Sequence, residues 1–261
     1  MLGAIAGDII GSVHEYAAQK SKVFPLFHEQ CWFTDDSLLT VAVAEHLLGG
    51  GEYVDLFHDY FHRYPEAGWG GRFYGWAKER RREPYQSYGN GSAMRVSAVG
   101  IAFDTLDDVR KRARESAAVT HDHPEGIRGA EATAAAVFLA RNGRSQSEIR
   151  QHVESEYGYD LSRTLDGIRE DYEFDETCQG SVPEAITAFL ESRDYEDAVR
   201  NAISLGGDAD TLACIAGGIA EAFYGGVPEP IAKRATAILD ARLRGVVLEF
   251  YARYGDRIRR S

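Results

Sequence analysis

The sequence predicts an all-α, single-domain protein, and three observations carry that prediction. Apolar residues recur at helical spacing along most of the chain, helix-start and helix-stop residues punctuate those stretches, and strand signals are weak. No succession of period-2 segments joined by hairpin turns appears, and no strand–helix–strand rhythm, so any β element is small. With 261 residues and 44% hydrophobic content, the chain can bury a substantial core.

After Asp36, the residues Leu38, Leu39, Ala42, Val43, Ala44, Leu47 and Leu48 form an apolar stripe that stops at Gly49-Gly50-Gly51. Similar patterns predict helices over 53–64, 92–101, 106–118, 126–140, 146–157, 182–191, 194–204, 211–224 and 230–254. Ser145, with Glu148 three residues later, has capping-box spacing. Pro183 and Pro230 suit first-turn positions, with Ser181 as the start of the helix that holds Pro183. The stretches 17–33 and 64–91 lack helical period and are long for connections inside a domain, which marks them as functional loops.

Composition excludes several function classes. The net charge of −12 disfavours duplex DNA as a general partner, because phosphate contacts need clustered Lys and Arg. The one basic run, Lys78 to Arg82, is broken by Glu79 and reads as a solvated helix face. No apolar run approaches the ~18 residues of a membrane span. The N-terminal stretch has no basic lead and is interrupted by Asp8, so no signal peptide is expected. Cys31, Cys178 and Cys214 form no Cys-x-x-Cys, which suits a reducing cytoplasm. Cys178 has no activating base nearby in sequence, so no thiol nucleophile is assigned.

Two aspartate motifs carry the chemistry. Thr34-Asp35-Asp36-Ser37 precedes the Leu38 helix, and Gly206-Gly207-Asp208-Ala209-Asp210-Thr211 precedes the Leu212 helix. Capping alone accounts for one acceptor at each start, worth about 0.3–1 kcal/mol. Each motif offers three hard oxygen groups instead. If the two meet, four carboxylates need a cation or protons between them. Carboxylates and hydroxyls without His or Cys suit Mg²⁺ or Mn²⁺ rather than Zn²⁺, and the splay of Asp35 from Asp36 suits two ions. The motifs lie more than 170 residues apart, so spacing alone leaves their meeting open. Asp8 is assigned a structural part, tying the first helix to these loops.

TDDS, then YGNGSAMR, then Thr120-His121, then GGDADT, in that order, resemble the ADP-ribosylglycohydrolase family from Gly3 to about Pro230. The resemblance implies a roughly orthogonal multi-helix bundle with a dinuclear metal cleft holding two Mg²⁺ or Mn²⁺. It implies hydrolysis of the C1″ glycosidic bond of an ADP-ribosylated protein or small molecule, releasing ADP-ribose. Nothing points to a modified nucleic acid or a membrane. The family's ligands fall on Thr34, Asp35, Asp36, Asp208, Asp210 and Thr211, with Asp36 and Asp210 nearest the reaction and Glu15 as acid, base or gate. Ser37 and Ala209 stand where many members have threonine. Gly68-Trp69-Gly70 resembles the family's diphosphate loop, although a flexible loop anchored by its Trp has the same sequence. Gly89, Asn90, Gly91, Ser92 and Met94 fall on the sugar-phosphate side with Tyr88 as a face for adenine, although Asn-Gly is also an ordinary turn. His121 is expected near ribose or phosphate. Arg95, a phosphate ligand or a structural ion-pair partner, stays outside the set. A non-catalytic ADP-ribose reader, a hydrolase of a free derivative such as O-acetyl-ADP-ribose, and a structural protein on the same fold are the alternatives. The retained ligands speak against the first and last.

Overall fold

A computed structural model describes residues 1–258, and these form fifteen α-helices and one 3-10 turn, with no strand among the described residues. The helices are α1 (Leu2–Gly11), α2 (Asp35–Leu47), α3 (Tyr53–Arg63), α4 (Gly71–Lys78), α5 (Gly91–Met94), α6 (Ser97–Ala102), α7 (Leu106–Ala118) and α8 (Pro124–Arg141). They continue as α9 (Gln146–Tyr157), α10 (Leu165–Asp171), α11 (Cys178–Leu190), α12 (Tyr195–Ile203), α13 (Ala209–Phe223), α14 (Glu229–Ile238) and α15 (Ala241–Tyr254). The expected all-α bundle is what forms, and the small β element reduces to one isolated bridge, Gly89 to Thr177.

α13 is the central helix, buried from Ala209 to Ala222, with α8, α11 and α12 packed around it. α1 lies directly against it because glycine recurs every fourth residue on one face. A Cβ at Gly3 would sit 2.4 Å from the Gly217 carbonyl oxygen, at Gly7 2.0 Å from that of Ala213, and at Gly11 2.5 Å from Asp210 Cα. Only hydrogen fits at those points, so the two backbones touch. Glu221 of α13 accepts from the Gly3 N–H at 2.8 Å and from the Tyr251 hydroxyl, which brings α15 onto the same pair. These contacts set the height of α13's first turn relative to α1.

Several expected boundaries moved for identifiable reasons. The single helix predicted over 92–101 breaks at Arg95 and Val96, where the Met94 carbonyl accepts from Thr40 Oγ1 and Cys214 Sγ, both at 3.3 Å, on α2 and α13. The predicted 230–254 helix is two, separated at Leu239 and restarted by Asp240, whose carboxylate caps the Leu243 N–H at 3.0 Å. Pro183 lies inside α11, not in its first turn, because Thr177 caps that helix by accepting from the Gly180 N–H at 3.1 Å. Ser181 is therefore not its start. Lys78 ends α4, and Arg80 takes a left-handed φ of 51°, so the basic run is a turn rather than a helix face.

Candidate active site

Asp8 is the fastening point. Fully buried on α1, its Oδ2 accepts from the Thr34 and Ser37 N–H groups at 3.0 Å each and from the Ser37 hydroxyl. Its Oδ1 accepts from the Thr34 hydroxyl at 2.6 Å. The expectation that Asp8 ties the first helix to the aspartate loops holds. α1 thus grips the start of α2 through Asp8 and the start of α13 through Gly11, and two motifs remote in sequence meet along it.

They meet in a cavity of about 340 Å³, within the ~300–1,000 Å³ range of small-molecule sites. Thr34, Asp35 and Asp36 line it from α2, Asp208, Asp210 and Thr211 from α13, and Glu15 from the turn after α1. Oxygens of Glu15, Asp208 and Asp210 come within 4.8 Å of one another. Asp36 Oδ1 is buried without a hydrogen-bond partner. Asp208 is held by the Asn90 Nδ2 donor at 2.7 Å, and Asp210 accepts from the Thr211 N–H at 2.9 Å. Asp35 presents its N–H to the Ala67 carbonyl at 2.8 Å, which fixes the glycine loop beside it.

The electrostatics follow from this crowding. Burial, then the carboxylates around them, pushes Asp35, Asp36 and Asp210 well above the usual carboxylate range. Burial also raises Asp8, against its four hydrogen bonds, and Asp208, against its bonds to Asp210 and Asn90. Glu15 is raised by burial and by Asp208 and Asp8. A set of hard oxygens facing one another, one of them orphaned, fits a divalent cation of the Mg²⁺ type.

The wall beside Asp35 carries the expected glycine loop. Gly68 has φ 84°, Trp69 is buried with its indole N–H on the Tyr64 carbonyl at 2.7 Å, and Gly70 opens α4. Trp69 stacks on Phe73 at 4.9 Å, so the loop is anchored to the core while lining the cavity. Gly89, Asn90, Gly91, Met94 and His121 line it too. Burial and the charge of Arg95 hold His121 well below its ordinary value, so its ring is neutral.

Two predicted substrate residues lie outside this lining. The 85–89 segment is irregular, with Gln86 at a left-handed φ of 53°, and it brings Tyr85, Ser87 and Gly89 into the lining while Tyr88 is left exposed, its ring 5.4 Å from His123. Tyr88 therefore offers no face to a ligand in the cavity. The Ser92 hydroxyl is wholly buried and committed to the Gly126 carbonyl at 2.7 Å. Arg95 has no carboxylate partner among the described residues, so the ion-pair reading fails; its Nη2 donates to the Ser116 carbonyl at 2.7 Å. Sequence reasoning missed Tyr85, Arg72 and Glu176 in the wall, and Tyr16 and Phe174, exposed rings stacked at 6.2 Å at the mouth. Cys178 donates to the Gly89 carbonyl at 3.0 Å and burial pushes its thiol up to about 12, consistent with no nucleophile.

The family model for ADP-ribosylglycohydrolase matches residues 1–257. The chain belongs to the ADP-ribosylglycohydrolase family. The chain is 30% identical to mouse (Mus musculus) ADP-ribosylhydrolase ARH3 over 306 residues, covering 86% of this chain and 82% of that one. The human (Homo sapiens) ADP-ribosylhydrolase ARH3 is also 30% identical, covering 86% and 84%. A solved structure described as an ADP-ribosylglycohydrolase-related protein complex superposes with a TM-score of 0.69 at 26% identity, covering 97% of both chains.

Proposed function

We propose that this ADP-ribosylglycohydrolase-family chain hydrolyses the C1″ glycosidic bond of ADP-ribosylated substrates and releases ADP-ribose. The observation that carries the reading is the meeting of both aspartate motifs and Glu15 in one cavity beside a glycine loop and a neutral histidine. Thr34, Asp35, Asp36, Asp208, Asp210 and Thr211 would hold two Mg²⁺ or Mn²⁺. Bound there, the ions would orient ribose hydroxyls and lower the pKa of an attacking water.

The chain's own groups supply the rest. Cleaving a glycosidic bond builds oxocarbenium character, which Asp36 and Asp210 stabilise by their charge. Glu15, half-buried and raised in proton affinity, is suited to move a proton to or from the reacting oxygens. The glycine loop and the α4 start offer backbone N–H groups to the diphosphate. A hollow of about 600 Å³ shares Glu15, Tyr16 and Phe174 with the cavity and gives the acceptor room beyond the scissile bond. Among the described residues no helix is long and apolar enough to cross a membrane. The three buried, unpaired cysteines suit the reducing cytoplasm as its place of work.

The test is a side-by-side release assay on serine-linked, arginine-linked and O-acetyl ADP-ribose. Release is expected from at least one, abolished by chelator and restored by Mg²⁺ or Mn²⁺ more fully than by Ca²⁺, whose larger shell fits such a site poorly. Tight ADP-ribose binding without release from any of them would make the protein a reader instead.

A further inference from the structure

One buried group lies outside the proposed chemistry. Arg95 is wholly buried, its guanidinium 4.6 Å from the centre of the Phe57 ring, with no carboxylate partner among the described residues. A buried cation so placed costs several kcal/mol unless something offsets it, and hydrogen bonds are what it has. Nη2 donates to the Ser116 carbonyl at 2.7 Å and to Thr120 Oγ1 at 3.1 Å. Thr120 Oγ1 in turn lies 2.7 Å from His121 Nδ1.

We propose that Arg95 and Thr120 form a relay that fixes His121 as the Nε2–H tautomer, presenting a neutral N–H donor to the cavity. The guanidinium can only donate and takes one of the two lone pairs of Thr120 Oγ1, the Tyr85 hydroxyl bonded to the same side chain takes the other, and the single Thr120 proton goes to Nδ1 along the short 2.7 Å contact. Nδ1 then accepts, and the ring proton sits on Nε2. That nitrogen faces the glycine-rich wall: a Cβ at Gly91 would lie 3.4 Å from it, and one at Gly89 3.7 Å. Thr120 is itself tied to the segment that lines the cavity, its carbonyl accepting from the Ser87 N–H at 3.3 Å. The Arg95 charge opposes a second proton on the ring, as burial does. The other tautomer would turn a lone pair toward the cavity and repel phosphate oxygens, which carry no proton to donate to it. Arg95 is thus a positioning residue, acting through Thr120. This deepens the ADP-ribose reading, since an N–H donor at that point serves an oxygen-rich ligand.

The test is the ¹⁵N–¹H spectrum of the ligand-free protein with ¹⁵N-labelled histidine, the His121 signals being those that His121→Asn removes. The expected result at pH 7 is a neutral ring with the proton on Nε2. A proton on Nδ1, or an imidazolium, overturns the relay. Thr120→Ser should keep the signature, and Thr120→Val should mix the tautomers and weaken ADP-ribose binding about tenfold, one hydrogen bond's worth. An unchanged tautomer in Thr120→Val refutes it. Because the spectrum needs no ligand, failure of ADP-ribose to bind would count against the functional reading and leave the tautomer result intact.

Discussion

Replacing Asp36 by asparagine should stabilise the metal-free protein while removing its response to metal. Asp36 is buried among Asp8, Asp35 and Asp208, which together with burial push its carboxyl well above the ordinary 3.8. At pH 7 the metal-free fold either keeps that charge against repulsion or takes a proton. Taking the proton caps the penalty at about 4 kcal/mol, from the gap between pH 7 and the ordinary carboxylate value at 1.36 kcal/mol per unit. Asparagine escapes this but puts an amide where Oδ1 has no partner, returning about 1–3 kcal/mol. The net gain is about 1–3 kcal/mol, or a rise of roughly 2–10 °C in Tm for a chain of this size. A carboxyl raised by folding contributes most at low pH and loses that contribution as pH rises. The advantage of the variant should therefore shrink toward pH 4. Calorimetry in chelator and then in Mg²⁺ reads both effects, with wild type gaining stability on adding Mg²⁺ and the variant gaining little. A variant less stable than wild type in chelator, yet equally stabilised by Mg²⁺, would refute the reasoning.

Other perturbations separate the scaffold from the site. Asp8→Ala should cost about 3–5 kcal/mol, since it strands the Thr34 and Ser37 N–H groups and both hydroxyls, whereas Asp8→Asn can keep the three bonds at Oδ2 and should cost about 1 kcal/mol; equal losses in denaturant titration would contradict this. Gly7→Ala should destabilise by about 3 kcal/mol or more, because a Cβ there meets backbone at 2.0 Å; a Tm within a degree or two of wild type would mean that α1 and α13 sit farther apart than described. Glu184 is half-buried with Oε2 out of solvent and unpartnered, and burial raises it to about 7. Its contribution to stability is thus present below about 4.5 and lost as pH rises through about 7, so Glu184→Gln should be neutral near pH 4.5 and stabilising by about 1–3 kcal/mol at pH 8, with partial solvent contact trimming the upper figure. A stability difference that does not change with pH would place Glu184 in solvent.

Much of this architecture was legible in the sequence because local chemistry and the final fold agree. Ser145 and Glu148 form the capping box their spacing announces, and Thr34 caps α2 while its neighbours line the cavity. What was not legible depends on long-range contact. The break after Met94 leaves no mark on the apolar period, because side chains from α2 and α13 take over its carbonyl. The short helices α4 and α10 fell below what periodicity detects. Tyr88 was expected as a ligand face from its place in the Tyr88–Arg95 motif, but the irregular segment before it, turned at Gln86, leaves its ring outside the cavity lining. The meeting of the two aspartate motifs had one overlooked signal. Gly3, Gly7 and Gly11 recur at one-turn spacing, and that spacing is what lets α1 lie against α13 and bridge the two helix starts.

A crystal soaked in Mn²⁺ and measured at the manganese absorption edge tests the account where it is most exposed. Two anomalous peaks are predicted inside the cavity, between the Thr34–Asp36 turn and the Asp208–Thr211 turn. An empty cavity, with manganese only on exposed surface carboxylates, would contradict the proposed metal centre and the hydrolytic chemistry built on it.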